Sequence, residues 1–139
     1  MSRPKIAASS VLTGLMLLSA TSVAAHDFVD DSKVTPLMTE ALEQIPGKVV
    51  KMLIVEYPPG GSTDKHRHPG AYILVYVLEG QLEMQVKGKP VVQLGPGQTY
   101  FETPEDIHTV ARNLSANESA RFLVVFIQDE GQAVLEPAT

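Results

Sequence analysis

Four histidines occur in the chain: His26, His66, His68 and His108. Two of them stand at i and i+2 in GGSTDKHRH, residues 60–68, which leads straight into the apolar run AYILVYVL, residues 71–78. In extended backbone successive side chains point to opposite faces, so i and i+2 share one face. At the start of a strand, His66 and His68 therefore aim both imidazoles the same way, and Arg67 between them turns to the surface. A neutral imidazole is a ligand for Mn, Fe, Co, Ni, Cu or Zn, so the pair is half of a metal site. Taken alone, it also reads as two surface histidines in a polar loop. His108 lies about forty residues further on, and only a fold can bring it to the same point. Three imidazoles would leave coordination positions for water or substrate.

The elements that must do this positioning read as strands. Lys48–Tyr57 (KVVKMLIVEY) is rich in β-branched residues and bounded by Gly47 and by Pro58-Pro59-Gly60-Gly61. Ala71–Leu78 follows the histidine pair. Leu82, Met84 and Val86 alternate with Gln81, Glu83, Gln85 and Lys87, the pattern of a strand with one wet face. Val91–Leu94, Gln98–Glu102 and Ile107–Ala111 are shorter and separated by turn residues. Arg121–Gln128 (RFLVVFIQ) is a continuous apolar strand. Val34–Leu42 reads as an edge strand, where Pro36 is tolerated, or ends in a short helical turn over Glu40–Gln44. Seven to nine short strands at this spacing predict an all-β antiparallel sandwich or barrel, and a small barrel can hold one small ligand.

Residues 1–25 carry Arg3 and Lys5, then the uncharged, mostly apolar stretch Ile6–Ala20, then Val23-Ala24-Ala25. This is the pattern of a secretory signal peptide cleaved after Ala25. Ser9, Ser10, Thr13, Gly14 and Ser19 make the stretch a poor spanning helix. The organisation expected is thus a signal peptide over 1–25, an N-terminal arm over 26–33, a barrel over 34–128 and a C-terminal tail of low order over 129–139. Losing Arg3 and Lys5 from the 11 basic residues against 16 acidic ones takes the net charge from −5 to −7. An acidic domain of this kind has no electrostatic case for nucleic acid, and after cleavage no segment is apolar and long enough for a membrane. Cysteine is absent, so a secreted location brings no disulfides. Cleavage would expose His26 as an amine and an imidazole together, a pair able to chelate copper, although chain termini are usually mobile.

The segment Gly60–Gly80 resembles the first motif of the cupins: glycine, five residues, His-X-His, three or four residues, glutamate, six residues, glycine. Gly60, His66, His68 and Gly80 match. The segment Gly97–Asn113 (GQTYFETPEDIHTVARN) is similar to the second motif through Gly97, Pro104, His108 and Asn113, with the spacing slipped by one and Asp106 where glycine is usual. The resemblance covers roughly Val34–Gln128. It implies a double-stranded β-helix, or jelly-roll barrel, with a divalent transition metal (Fe, Mn, Ni, Cu or Zn) held by the motif histidines, a glutamate and the later histidine. It also implies a homodimer.

One position departs from the pattern. The glutamate slot holds Ile73, or Tyr72 on the other permitted spacing. Three arrangements follow: three histidines with water in the remaining position, a carboxylate from another strand, or loss of the metal. Glu102 is the substitute of choice. It precedes His108 in FETPEDIH, which is similar to F-x-E-P-P-G-x-x-H in a cupin subgroup that opens with HRHPG. An inward-facing glutamate there would be costly without a cation. The metal set expected is His66, His68, Glu102 and His108. Asn113 is expected to support a turn through local hydrogen bonds. Tyr72 and Tyr76 share one face and are expected in the core or a dimer interface, and Met52 and Met84 in the core. Apolar faces on Lys48–Tyr57 and Arg121–Gln128 are expected to pack on a second copy. Functionally this points to a secreted or periplasmic metal-binding protein with a small-molecule ligand or substrate. It is either a metal-dependent enzyme of dioxygenase or isomerase type, or a non-enzymatic binder.

Overall fold

The computed structural model describes residues 26–139, and the expected signal peptide lies outside them. Eleven strands and no helix occur among the described residues. They are β1 (Lys33–Ala41), β2 (Lys48–Tyr57), β3 (Ser62–Thr63), β4 (His66–Arg67), β5 (Tyr72–Glu79), β6 (Leu82–Val86), β7 (Val92–Leu94), β8 (Thr99–Glu102), β9 (Ile107–Asn113), β10 (Ala120–Asp129) and β11 (Glu136–Pro137). One sheet runs β1-β2-β10-β5-β8. The other runs β11-β4-β9-β6-β7, with β3 also on β9. Every pairing between these strands is antiparallel.

The period-2 pattern read from the sequence is the burial pattern. On β5, Ile73, Val75 and Val77 are buried while Tyr72, Leu74 and Tyr76 are exposed. On β6, Leu82, Met84 and Val86 are buried. Leu53, Val55, Val124 and Phe126 of the first sheet and Leu82, Met84 and Leu94 of the second share one core. The two inner faces thus meet in a single barrel interior. Gly80, which closes the first histidine motif, has φ +81°, and a Cβ there would stand 2.8 Å from Ala120 Cα. Only glycine fits both that backbone and that approach, so the β5–β6 turn can press against the start of β10.

Four expectations need correction. Residues after Asp129 are not a tail of low order. Glu136 and Pro137 pair with Arg67 and His66 as β11, and Val134 packs against the core. The bare apolar face is not on β2 and β10, whose outward residues are half-buried. It lies on β5 and the edge strand β8, where Tyr72, Leu74, Tyr76 and Phe101 are exposed and Tyr72 stacks on Phe101. Tyr72 and Tyr76 are accordingly not core residues, and of the two places expected for them only an interface is left. Met84 is buried as expected, but Met52 is only half-buried on the outer side of β2.

Candidate metal centre

β4 and β9 lie side by side, and their register sets His66 directly opposite His108. The two ring centroids are 4.9 Å apart. His68 follows one residue after β4 on the His66 side, its ring 4.9 Å from that of His66 and edge-on to Phe126 of β10 at 5.3 Å. Arg67 turns outward, as expected, and pairs with Glu136 at 3.1 Å. One nitrogen from each of His66, His68 and His108 lies within 4.8 Å of the other two. The three imidazoles singled out by spacing are therefore brought to one place and positioned to hold a metal.

Glu102, at the end of β8, is 2% exposed and faces the same interior. Its Oε1 is 3.3 Å from His108 Nδ1 and its Oε2 3.9 Å from His68 Nε2. Burial pushes its carboxyl up to about 8, with a smaller contribution from the charge of Asp106. Burial pulls His108 down to about 3 and His68 to about 4, and lowers His66 as well. Burial thus favours the neutral form of the carboxyl and of the imidazoles alike.

Two backbone carbonyls set the imidazole tautomers. His66 Nδ1 lies 2.7 Å from the carbonyl of Asp64, and His68 Nδ1 is hydrogen-bonded to the carbonyl of Val134. A nitrogen facing a carbonyl carries the proton, so each Nε2 keeps its lone pair for a ligand. His108 is different: it is 4% exposed, and neither ring nitrogen has a hydrogen-bond partner. A buried polar atom without a partner costs about 1–3 kcal/mol. A cation at the cluster would use a nitrogen here that no protein group satisfies. The donor set, imidazole nitrogens with one carboxylate, suits a first-row divalent transition ion.

The cluster opens on an interior cavity of about 100 Å³. Its wall is apolar around Leu53, Val55, Val75, Val124 and Phe126, and it also touches Asp30, Tyr57 and Thr63. That volume has room for several waters or one compact organic molecule. His26 stands outside the cluster, on the surface 3.5 Å from Asp64. Asn113 is buried and does support a turn: its Nδ2 donates to the carbonyls of Pro58 and Glu118, and its Oδ1 accepts from Ser115 N. Sequence reasoning missed the carbonyls of Asp64 and Val134, since a backbone carbonyl leaves no mark in residue identity. It also missed Tyr57 and Asp30, which lie in segments with no motif, and Thr63, which is an unspecified position inside the first one.

The fold is a two-sheet antiparallel barrel with three histidines positioned to bind a metal and a glutamate beside them. The comparisons agree on the fold. The family model described as Cupin domain matches residues 53–126, more than half of the chain. The chain belongs to the cupin family. It is 34% identical over 87 residues to the rhicadhesin receptor of Pisum sativum, across 53% of this chain and 40% of that protein. The chain spans well under half the length of the curated relatives it matches. Among solved structures it resembles the DMSP lyase DddQ from Ruegeria pomeroyi DSS-3 (TM-score 0.63, 22% identity, 88% of this chain and 59% of that one). It also resembles a cupin-2 domain from Rhodospirillum rubrum (TM-score 0.62, 19% identity, 81% of this chain and 68% of that one). At these identities the structural likeness speaks for the fold alone.

Proposed function

We propose that His66, His68, His108 and Glu102 hold one divalent transition metal (Fe, Mn, Ni, Cu or Zn), and that the adjoining cavity takes a small organic substrate for a metal-dependent reaction of oxygenase type. The observation that carries this is the convergence of three buried imidazoles and a buried carboxyl around ring nitrogens of His108 that have no partner. A bound ion of this kind supplies Lewis acidity and, for iron, manganese, nickel or copper, redox chemistry.

The residues have separate tasks. His66 and His68 are pre-oriented by the carbonyls of Asp64 and Val134. Glu102, neutral while the site is protein only, supplies the negative charge once it ionises. The apolar wall of the cavity excludes water and accepts the body of a substrate. Metal analysis of protein taken from its native location tests the site, because a foreign host can load the wrong ion. About one ion per chain is expected, and none would overturn the metal assignment. Oxygen uptake with the loaded protein against small aromatic and dicarbonyl compounds tests the reaction. Absence of turnover with every metal would overturn the enzymatic assignment and leave the site intact.

The apolar wall supports a second possibility, a non-enzymatic binder of a metal or a small molecule. Among the described residues Glu102 is the one carboxylate in contact with the histidines, and the other carboxylate lining the cavity, Asp30, is engaged by Thr63. Tight binding of a ligand without conversion would decide for it. Export to a secreted or periplasmic location is supported by the signal-like sequence of residues 1–25. A homodimer is supported by the exposed aromatic and aliphatic face of β5 and β8.

A further inference from the structure

Tyr57 ends β2 and is 3% exposed, yet its hydroxyl is engaged by a side chain in the barrel. Its Oη lies 2.5 Å from Thr63 Oγ1. Thr63, itself 6% exposed, donates its own proton to Asp30 Oδ1 at 3.0 Å. A carboxylate only accepts, and a threonine hydroxyl has one proton to give. With that proton on Asp30, Thr63 must accept from Tyr57. The direction of the chain is therefore set: Tyr57 donates to Thr63, and Thr63 donates to Asp30. Burial pushes the phenol up to about 12, so Tyr57 keeps the proton that it gives to Thr63.

A phenol oxygen that has given its proton still has acceptor capacity. Among the described residues no donor reaches Tyr57 Oη. Tyr57, Thr63 and Asp30 line the same cavity as the histidines. They lie some way from His68: Tyr57 packs on Phe122 at 5.6 Å, whereas His68 packs on Phe126 at 5.3 Å. Phe122 and Phe126 are four residues apart on β10, roughly 13 Å at about 3.3 Å per residue. Apolar side chains occupy the wall between.

We propose that Tyr57 is the specificity-determining group at this second end of the cavity, and that the molecule bound there carries an O–H or N–H donor which the Tyr57 oxygen accepts. This rests on the reading above that the cavity takes a small organic molecule, and adds to it the polarity of that molecule. A compact hydroxy or amino compound with an apolar middle fits. An equally compact molecule offering only acceptors at that end would leave two acceptors facing each other. Sites built around one polar partner discriminate strongly against analogues that lack it. The arm over Asp30 thereby takes part in recognition, since its carboxylate orients the chain.

The test uses five-membered rings of nearly equal size and no metal requirement: pyrrole, which offers an N–H donor, furan, which offers none, and tetrahydrofuran, which offers only an acceptor. Binding is measured by NMR titration of the isotope-labelled protein, with metal content determined separately. The wild type is expected to bind pyrrole roughly 3- to 10-fold more tightly than furan, the range of one net hydrogen bond. Tyr57→Phe is expected to abolish that preference with metal content unchanged. Thr63→Val frees the Tyr57 O–H and is expected to turn the preference toward tetrahydrofuran, and it reads the same chain should Tyr57→Phe fail to fold. Equal binding of pyrrole and furan by the wild type, or a preference that survives in Tyr57→Phe, overturns the inference alone. No binding of any of the three overturns the cavity reading and the inference with it.

Discussion

Ile73 on β5 and Glu102 on β8 are directly opposed in the antiparallel pair, and both point into the barrel, 1% and 2% exposed. Ile73 occupies the position where the family's first motif has its glutamate. Opposed residues carry Cβ atoms about 4.5–5.5 Å apart, a gap within the reach of a glutamate side chain. Under the proposed assignment Glu102 would supply, from the neighbouring strand, the carboxyl missing from this one, and its oxygens lie 3.9 Å from His68 and 3.3 Å from His108.

An exchange experiment follows from that relationship. Glu102→Ile is expected to lower metal affinity about 10–100-fold, the range for loss of a ligand or its close support. Adding Ile73→Glu to it is expected to restore most of that loss, because the carboxyl returns from the opposite strand. Isothermal titration with Ni²⁺ would read both. Unchanged affinity in Glu102→Ile would show that the three histidines suffice.

Acidity should act in opposite senses on the metal-free and the loaded protein. In the metal-free protein Glu102 titrates at about 8 against an ordinary 4.5, so the folded state holds the extra proton and loses stability as pH rises between those values. His68 and His108 titrate at about 4 and about 3 against 6.5, so the folded state lacks protons that the unfolded chain takes up, and stability falls as pH drops below about 6.5. Below about pH 6.5 the histidines outweigh the one carboxyl, so these groups together favour a stability maximum near pH 6.5 in chelator. Metal binding needs ionised Glu102 and neutral imidazoles, so the gain in Tm on adding Ni²⁺ should grow toward pH 8. A Tm in chelator that does not fall from pH 7 to 8 would contradict the burial of an ionisable Glu102.

The C-terminal segment should matter to the site more than to the barrel. It supplies the Val134 carbonyl to His68 and strand β11 to β4, two residues of pairing at a sheet edge. A chain ending at Ala133 is expected to keep its cooperative unfolding and lose about 10-fold in metal affinity. Arg67→Ala removes only the exposed pair with Glu136 and should change stability by less than about 1 kcal/mol. If the two variants behave alike, the carbonyl has no role in orienting His68.

The outer face of β5 and β8 gives a test of assembly. Tyr72 and Phe101 stack with ring centroids 6.1 Å apart, and Leu74 and Tyr76 are exposed beside them. A continuous apolar patch of this kind marks an interaction surface. Leu74→Lys with Tyr76→Lys is expected to convert a dimer to a monomer in analytical ultracentrifugation with the fold unchanged. A wild type that sediments as a monomer would remove the basis for the dimer.

Much of this molecule is legible in its residues. Alternation of apolar and polar side chains marks β5 and β6 with their inward faces, and Gly-Pro clusters mark the turns. His66, His68 and His108 stand out by type and spacing, and Glu102 by its place before His108. What the linear pattern does not hold is which strand lies beside which. Period 2 assigns a face to each residue, but the partner across the ladder depends on register between distant segments. Only the fold sets Glu102 opposite Ile73, half-buries the outer faces of β2 and β10, and leaves those of β5 and β8 bare. Only the fold carries the Val134 carbonyl back to His68 and aligns Tyr57, Thr63 and Asp30. Those contacts join backbone atoms or unremarkable residues far apart in the chain, and side-chain chemistry alone does not encode such neighbours.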